Sequence, residues 1–120
     1  MVAPTTGAVV LVRFPFSDLS QSKLRPAVVV AAAGRDDWIL SQITSKSYGD
    51  VGAIKLDDTG FITGSLRVTS YARPGKLFTA NLSLMVAEVA KLKAESLKAV
   101  VDAIVDLLRP RGTQGPEERA

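Results

Sequence analysis

The chain has 120 residues, 47% of them hydrophobic and 22% charged, with a formal net charge of +3, which gives room for one core but not for two. It contains no Cys and no His, which removes disulfides, thiolate nucleophiles, imidazole proton transfer and the common zinc sites. No apolar run approaches the roughly 20 residues needed to span a bilayer, and the start MVAPTTG lacks the basic opening and long apolar core of a signal peptide, so the expectation is a cytoplasmic protein with no membrane association.

Gly7 precedes AVVLVRF, a β-branched run that predicts a first strand from residue 8 to about residue 14. Pro15 ends or edges it, because proline donates nothing to a sheet ladder. SDLSQSKL supplies loop chemistry, with Ser and Asp side chains able to bond nearby backbone. Pro26 then opens PAVVVAAA, a continuous apolar strand. GRDD is a turn, WILSQIT a third strand and SKSYGD a second polar loop. Further on, residues 53–56 predict a short strand, DDTGFITG a turn-rich stretch and residues 66–71 another strand. RPG turns the chain again, KLFTANLS is short and extended, and LMVAEVAKL is the last strand. Many short strands punctuated by Gly, Pro and Asp predict a small barrel.

The period changes at the end. In AESLKAVVDAIVDLL the apolar residues Leu97, Val100, Val101, Ile104, Leu107 and Leu108 recur at steps of three and four, which puts them on one face of a helix laid on the barrel. Its N-cap, Lys93 or Ala94, is poor; Glu95 suits the helix dipole, and Arg109 with Pro110 stops it. Residues 1–110 are expected to form a single domain and residues 111–120 a disordered polar tail.

Arg25 stands before a proline, which forces extended backbone angles on it, at the expected junction of loop and strand. One reading is a solvated strand-start arginine. The other is a binding group, because a guanidinium forks onto phosphate with two parallel hydrogen bonds. Thr44 is likewise either a plain β-former or, with Ser45 and Lys46, part of an anion cradle of two hydroxyls and an ammonium. From residue 61 to residue 93 the chain carries five bases, Arg67, Arg73, Lys76, Lys91 and Lys93, against one acid, Glu88. That excess suits a polyanionic partner. Lys23, Lys46, Arg73 and Lys76 are candidates for phosphate contacts along a single strand, and Phe14, Phe16 or Tyr71 for base stacking. The bland alternative is solvated surface for the lysines and core for the aromatics, Trp38 included.

The series G-x-VVLV-x-FPF-S-D, SKLRPAVVV, a strand ending in ITS, then ARPGKLFTAN and a closing amphipathic helix resembles the MazF/PemK family of bacterial toxin ribonucleases, over residues 7–108. The resemblance implies a mainly β (α+β) fold, a small SH3-like antiparallel β-barrel with a C-terminal amphipathic helix. It implies a homodimer that cleaves single-stranded RNA without metal or cofactor. It also implies a cognate antitoxin protein whose disordered tail covers the RNA groove. The family's two catalytic positions fall on Arg25 and Thr44, its gating loop on residues 17–23, with Ser17, Asp18 and Lys23 as RNA contacts, and a basic position on Arg73. One departure stands out. Some members carry an acid two residues beyond that last arginine, where this chain has Gly75.

RNA brings its own nucleophile, the 2′-hydroxyl, so a protein can cleave it by aligning attack and stabilising the phosphorane. Arg25 can give two charged donors and Thr44 a third. A guanidinium is a poor general base in water, which leaves proton movement to water or Asp18. Two rival readings stay open, a non-catalytic SH3-like module that binds nucleic acid or a peptide, and a toxin relative that binds an antitoxin but no longer cuts.

Overall fold

The computed structural model describes residues 2–15, 22–46 and 52–109. Ser17, Asp18, Phe16 and the polar tail lie outside the described residues. Seven antiparallel strands form one curled sheet in the order β4-β6-β3-β2-β1-β7-β5, followed by a single helix. The strands are β1 Ala8–Pro15, β2 Ser22–Gly34, β3 Asp37–Thr44, β4 Ile54–Leu56, β5 Phe61–Gly64, β6 Ser70–Asn81 and β7 Met85–Leu92, and the helix α1 is Ala94–Leu108. This is the mainly β half-barrel with a C-terminal helix that the strand pattern predicts.

The strands are apolar on both faces because the sheet packs on both. One core gathers Val9, Val28, Ile43, Leu56, Phe61, Ala72, Leu92 and, from α1, Val100 and Ile104. The other gathers Val10, Val12, Ala27, Val29, Leu40, Ala80 and Met85, with Phe14, Trp38 and Phe78 packed against it. Alternation along β1 and β2 feeds the two cores in turn, which is why AVVLV and AVVV read as unbroken apolar runs. Phe14 on β1 and Phe78 on β6 meet with ring centroids 4.7 Å apart, although β2 and β3 lie between their strands, so the sheet curls strongly on that side. Phe14 is thus a packing residue, and Trp38 sits half-buried at the same core.

The helix begins as predicted. Lys93 is an extended N-cap that makes no side-chain capping bond; its N–H donates instead to the Gly60 carbonyl at 2.8 Å, which ties the helix start to the foot of β5. Arg109 closes the helix by donating its N–H to Val105 O.

Four sequence expectations are corrected. β2 begins at Ser22 rather than Pro26, because β1 continues to pair with it as far as Pro15 opposite Ser22. Pairing of β2 with β3 is recorded only from Ala27 opposite Gln42 onward, so Pro26 sits where a missing N–H costs little. Arg25 therefore lies inside a strand, opposite Val12, not at its mouth. FITG is not a turn but the edge strand β5, paired to β7. It ends at Gly64, whose φ is +64° and where a Cβ would lie 2.2 Å from the Val89 carbonyl oxygen, so only glycine fits. Residues 66–69 are not a strand; β6 starts at Ser70. RPG does not turn the chain but forms a bulge inside the single 12-residue strand β6.

Candidate functional site

The bulge and the splayed end of β2 and β3 together build one cleft. Ala27 faces Gln42, the last pair between β2 and β3, and Arg25 and Thr44, two residues beyond it on their strands, both line the space that opens there. Thr44 in turn faces Tyr71 on β6. Beyond the last recorded β2–β3 pair a cleft of about 490 Å³ opens, lined by Arg25, Pro26, Gln42, Ile43, Thr44, Ser45, Lys46, Leu66, Arg67, Val68, Ser70 and Arg73. Four of these residues are cationic, three are hydroxylic and none is a carboxylate. Cations gathered in a recess with no acid among its described lining residues add their fields and raise the local concentration of anions.

Hydrogen bonds fix the Thr44 and Arg73 groups of the cleft. The Thr44 hydroxyl accepts the Lys46 backbone N–H at 3.1 Å, so the side-chain oxygen is fixed as an acceptor while its own O–H remains a donor. On β6, residues 73–76 stand against Gln42 alone, because Ser41 pairs with Leu77 and Ile43 with Ala72. The buried Ser41 donates its Oγ–H to the Arg73 carbonyl at 2.7 Å, and Arg73 Nη1 donates to Gln42 Oε1 at 3.3 Å. These two bonds pin the bulge and keep the Arg73 guanidinium on the cleft wall. Pro74 suits a bulge, where a missing N–H is tolerated.

Of the residues singled out in the sequence, the cleft brings together Arg25, Thr44, Ser45, Lys46 and Arg73. It does not include Lys23 or Lys76. Lys23 is exposed on β2 opposite Phe14, one turn of the pleat away, and Lys76 leaves from the far end of the bulge. Tyr71 is half-buried beside Thr44 but does not line the cleft. Gly75 does not line it either; a Cβ there would meet Leu107 Cδ2 at 3.7 Å, so the position turns toward α1. Sequence reasoning missed Gln42, Ser70 and Arg67. Gln42 is two residues from Thr44 and shares its face, a signal that was present. Arg67 was visible only as one base in a run. Among the described residues no group of three or more acidic, His or Cys side chains is gathered to hold a metal ion.

No protein-family model matches the chain, and no curated protein matches it significantly. Solved structures do. A MazE–MazF complex from Deinococcus radiodurans matches with a TM-score of 0.72 at 19% identity, over 90% of this chain and 97% of that one. MazF from the same organism matches with a TM-score of 0.70 at 21% identity, over 90% and 98%. An endoribonuclease in complex with its cognate antitoxin, from a mycobacterial species, matches with a TM-score of 0.67 at 14% identity, over 92% and 99%. The fold of this chain is that of the MazF toxins, a seven-stranded half-barrel closed by a C-terminal helix.

Proposed function

We propose that this chain is the toxin of a toxin–antitoxin pair of the MazF/PemK family, an endoribonuclease that cleaves single-stranded RNA by attack of its own 2′-hydroxyl. The observation that carries the reading is that Arg25 and Thr44 line one cleft whose described lining residues include four cations and no carboxylate. Fold alone does not fix activity, but Arg25 and Thr44, the two positions the family motifs point to, line this cleft together with Arg73.

The chemistry suits these side chains. Arg25 presents a planar fork to two non-bridging oxygens of the scissile phosphate, and the Thr44 hydroxyl adds a third donor. Charge on those oxygens grows as the 2′-oxygen approaches phosphorus, so donors aimed at them act more strongly on the transition state than on the ground state. Lys46 and Arg73 widen the positive field. The 2′-hydroxyl proton leaves through water or Asp18, and the products are a 2′,3′-cyclic phosphate, opened to a 3′-phosphate, and a 5′-hydroxyl. Residues 1–110 act as one domain, as a homodimer, and a cognate antitoxin silences the enzyme by covering the cleft. The MazE–MazF complex of D. radiodurans and the mycobacterial endoribonuclease–antitoxin complex support that partner.

The test is incubation of purified protein with a mixed single-stranded RNA pool in the presence of chelator, with both fragment ends mapped. Cuts at a short recurring sequence with 5′-hydroxyl ends support the reading. Binding without cuts favours a pure binding module, and neither binding nor cuts removes RNA from the cleft.

A further inference from the structure

The cleft is charged for more than one phosphate. A phosphodiester carries one negative charge and a phosphorane intermediate two, whereas the lining residues include four cations. Arg25 and Thr44 line it from β2 and β3, and Arg73 is hydrogen-bonded to Gln42. Arg67 stands apart. It belongs to residues 65–69, the connection from β5 to β6, and so comes from a wall that neither β2 nor β3 builds. It is exposed and makes no ion pair among the described residues. Its neighbour Val68 is 60% exposed, so the segment stands out at the cleft rim instead of packing down. At about 490 Å³ the space is of the size that holds whole organic ligands, enough for a nucleotide with its flanking phosphates and more than a phosphate ion needs.

We propose that Arg67 binds an RNA phosphate next to the one that is cleaved, so that the cleft grips the strand from two walls: β2 and β3 hold the scissile group and the β5–β6 connection holds its neighbour. This inference rests on the RNA-cleaving reading for the identity of the strand. The consequence is directional grip. A nucleotide held at two successive phosphates cannot rotate about the scissile bond, which is what in-line attack by the 2′-oxygen requires.

The experiment measures binding, not cutting. The probe is a short single-stranded RNA with 2′-deoxyribose at the mapped cleavage position; if the protein cuts nothing, every phosphate of one bound RNA of defined sequence is scanned in the same way. Each phosphate flanking the scissile one is replaced in turn by an uncharged methylphosphonate, and Kd is measured for wild type, Arg67→Ala and Arg67→Lys. One flanking replacement should weaken wild-type binding about tenfold and leave Arg67→Ala unaffected, because the partner is already gone. Arg67→Ala should also lower the salt slope of log Kd by about 0.7, the single-strand value for one lost phosphate contact, and Arg67→Lys should restore it. If every methylphosphonate weakens Arg67→Ala as much as wild type, or the salt slope is unchanged, the inference is overturned. Failure of the unmodified RNA to be cleaved by wild type overturns the nuclease reading instead, and is read in a separate assay.

Discussion

Ser41 Oγ donates a 2.7 Å hydrogen bond to the Arg73 carbonyl, joining β3 and β6 at the point where their register breaks. A fully buried hydroxyl is thus spent on holding a bulge, and the bulge is what aims Arg73 at the cleft. Ser41→Ala removes the donor and leaves a carbonyl short of a partner, which should cost about 1–3 kcal/mol. The shift in urea midpoint, at unchanged m-value, checks it. The same variant should weaken RNA binding, since the guanidinium is no longer anchored at its backbone.

Arg25→Lys keeps the charge and loses the fork. If bidentate contact with the phosphorane oxygens is its role, the single-turnover cleavage rate should fall by about a hundredfold or more, with RNA affinity much less affected. Near wild-type cleavage by this variant would show that charge alone is enough.

Thr44 offers a second separation of roles. Thr44→Ser retains a hydroxyl able to accept the Lys46 N–H and to donate outward, and should keep most activity. Thr44→Val is close to isosteric but loses both functions, and should lower the cleavage rate by about tenfold or more. Equal activity in the two variants would make this residue a β-former only.

The helix seals one core without reaching the cleft. Ile104 is 8% exposed against Leu56 and Val100 in that core, so Ile104→Ala should destabilise the fold by about 2–5 kcal/mol, measured by thermal or urea unfolding. At low temperature, where the variant remains folded, RNA affinity should be close to that of wild type.

Asp57 accepts hydrogen bonds from the Thr59 hydroxyl at 2.6 Å and the Thr59 N–H at 3.0 Å. These bonds favour the carboxylate and hold its pKa below the ordinary 3.8. A lowered folded-state pKa means that the unfolded chain takes up the proton first as acid is added. The stabilisation is therefore complete above the ordinary value and is lost as pH falls through it toward the lowered one. Acid unfolding of Asp57→Asn should show a shallower dependence on pH in that range, the residue being partly exposed and its effect small.

Much of this architecture was legible because the strands carry their own punctuation. The first three strands are rich in β-branched residues and have Gly, Pro or Asp beside them, the last is a mainly apolar run, and the helix announces itself by a change of period. What was not legible depends on neighbours. FITG became a strand because β7 offered an edge to pair with, not because four residues rich in turn formers favour extension. RPG stayed inside β6 because Ser41 and Gln42, more than thirty residues earlier, absorb the surplus chain. Arg25 and Thr44 were readable through family motifs, whereas their meeting in one cleft follows from strand pairing that no local pattern encodes. Arg67 enters the cleft from a segment with neither motif nor regular structure, so only the folded arrangement reveals it.

The central claim is that ribose supplies the nucleophile while Arg25 and Thr44 steady the phosphorus centre. It is tested most directly by comparing two RNAs of identical sequence, in chelator, one all-ribose and the other with a single 2′-deoxyribose at the mapped cut. The all-ribose strand should be cleaved to a 5′-hydroxyl product and a cyclic or 3′-phosphate, and the substituted strand should remain intact at that position. Scission of the substituted strand at the same bond would contradict the claim.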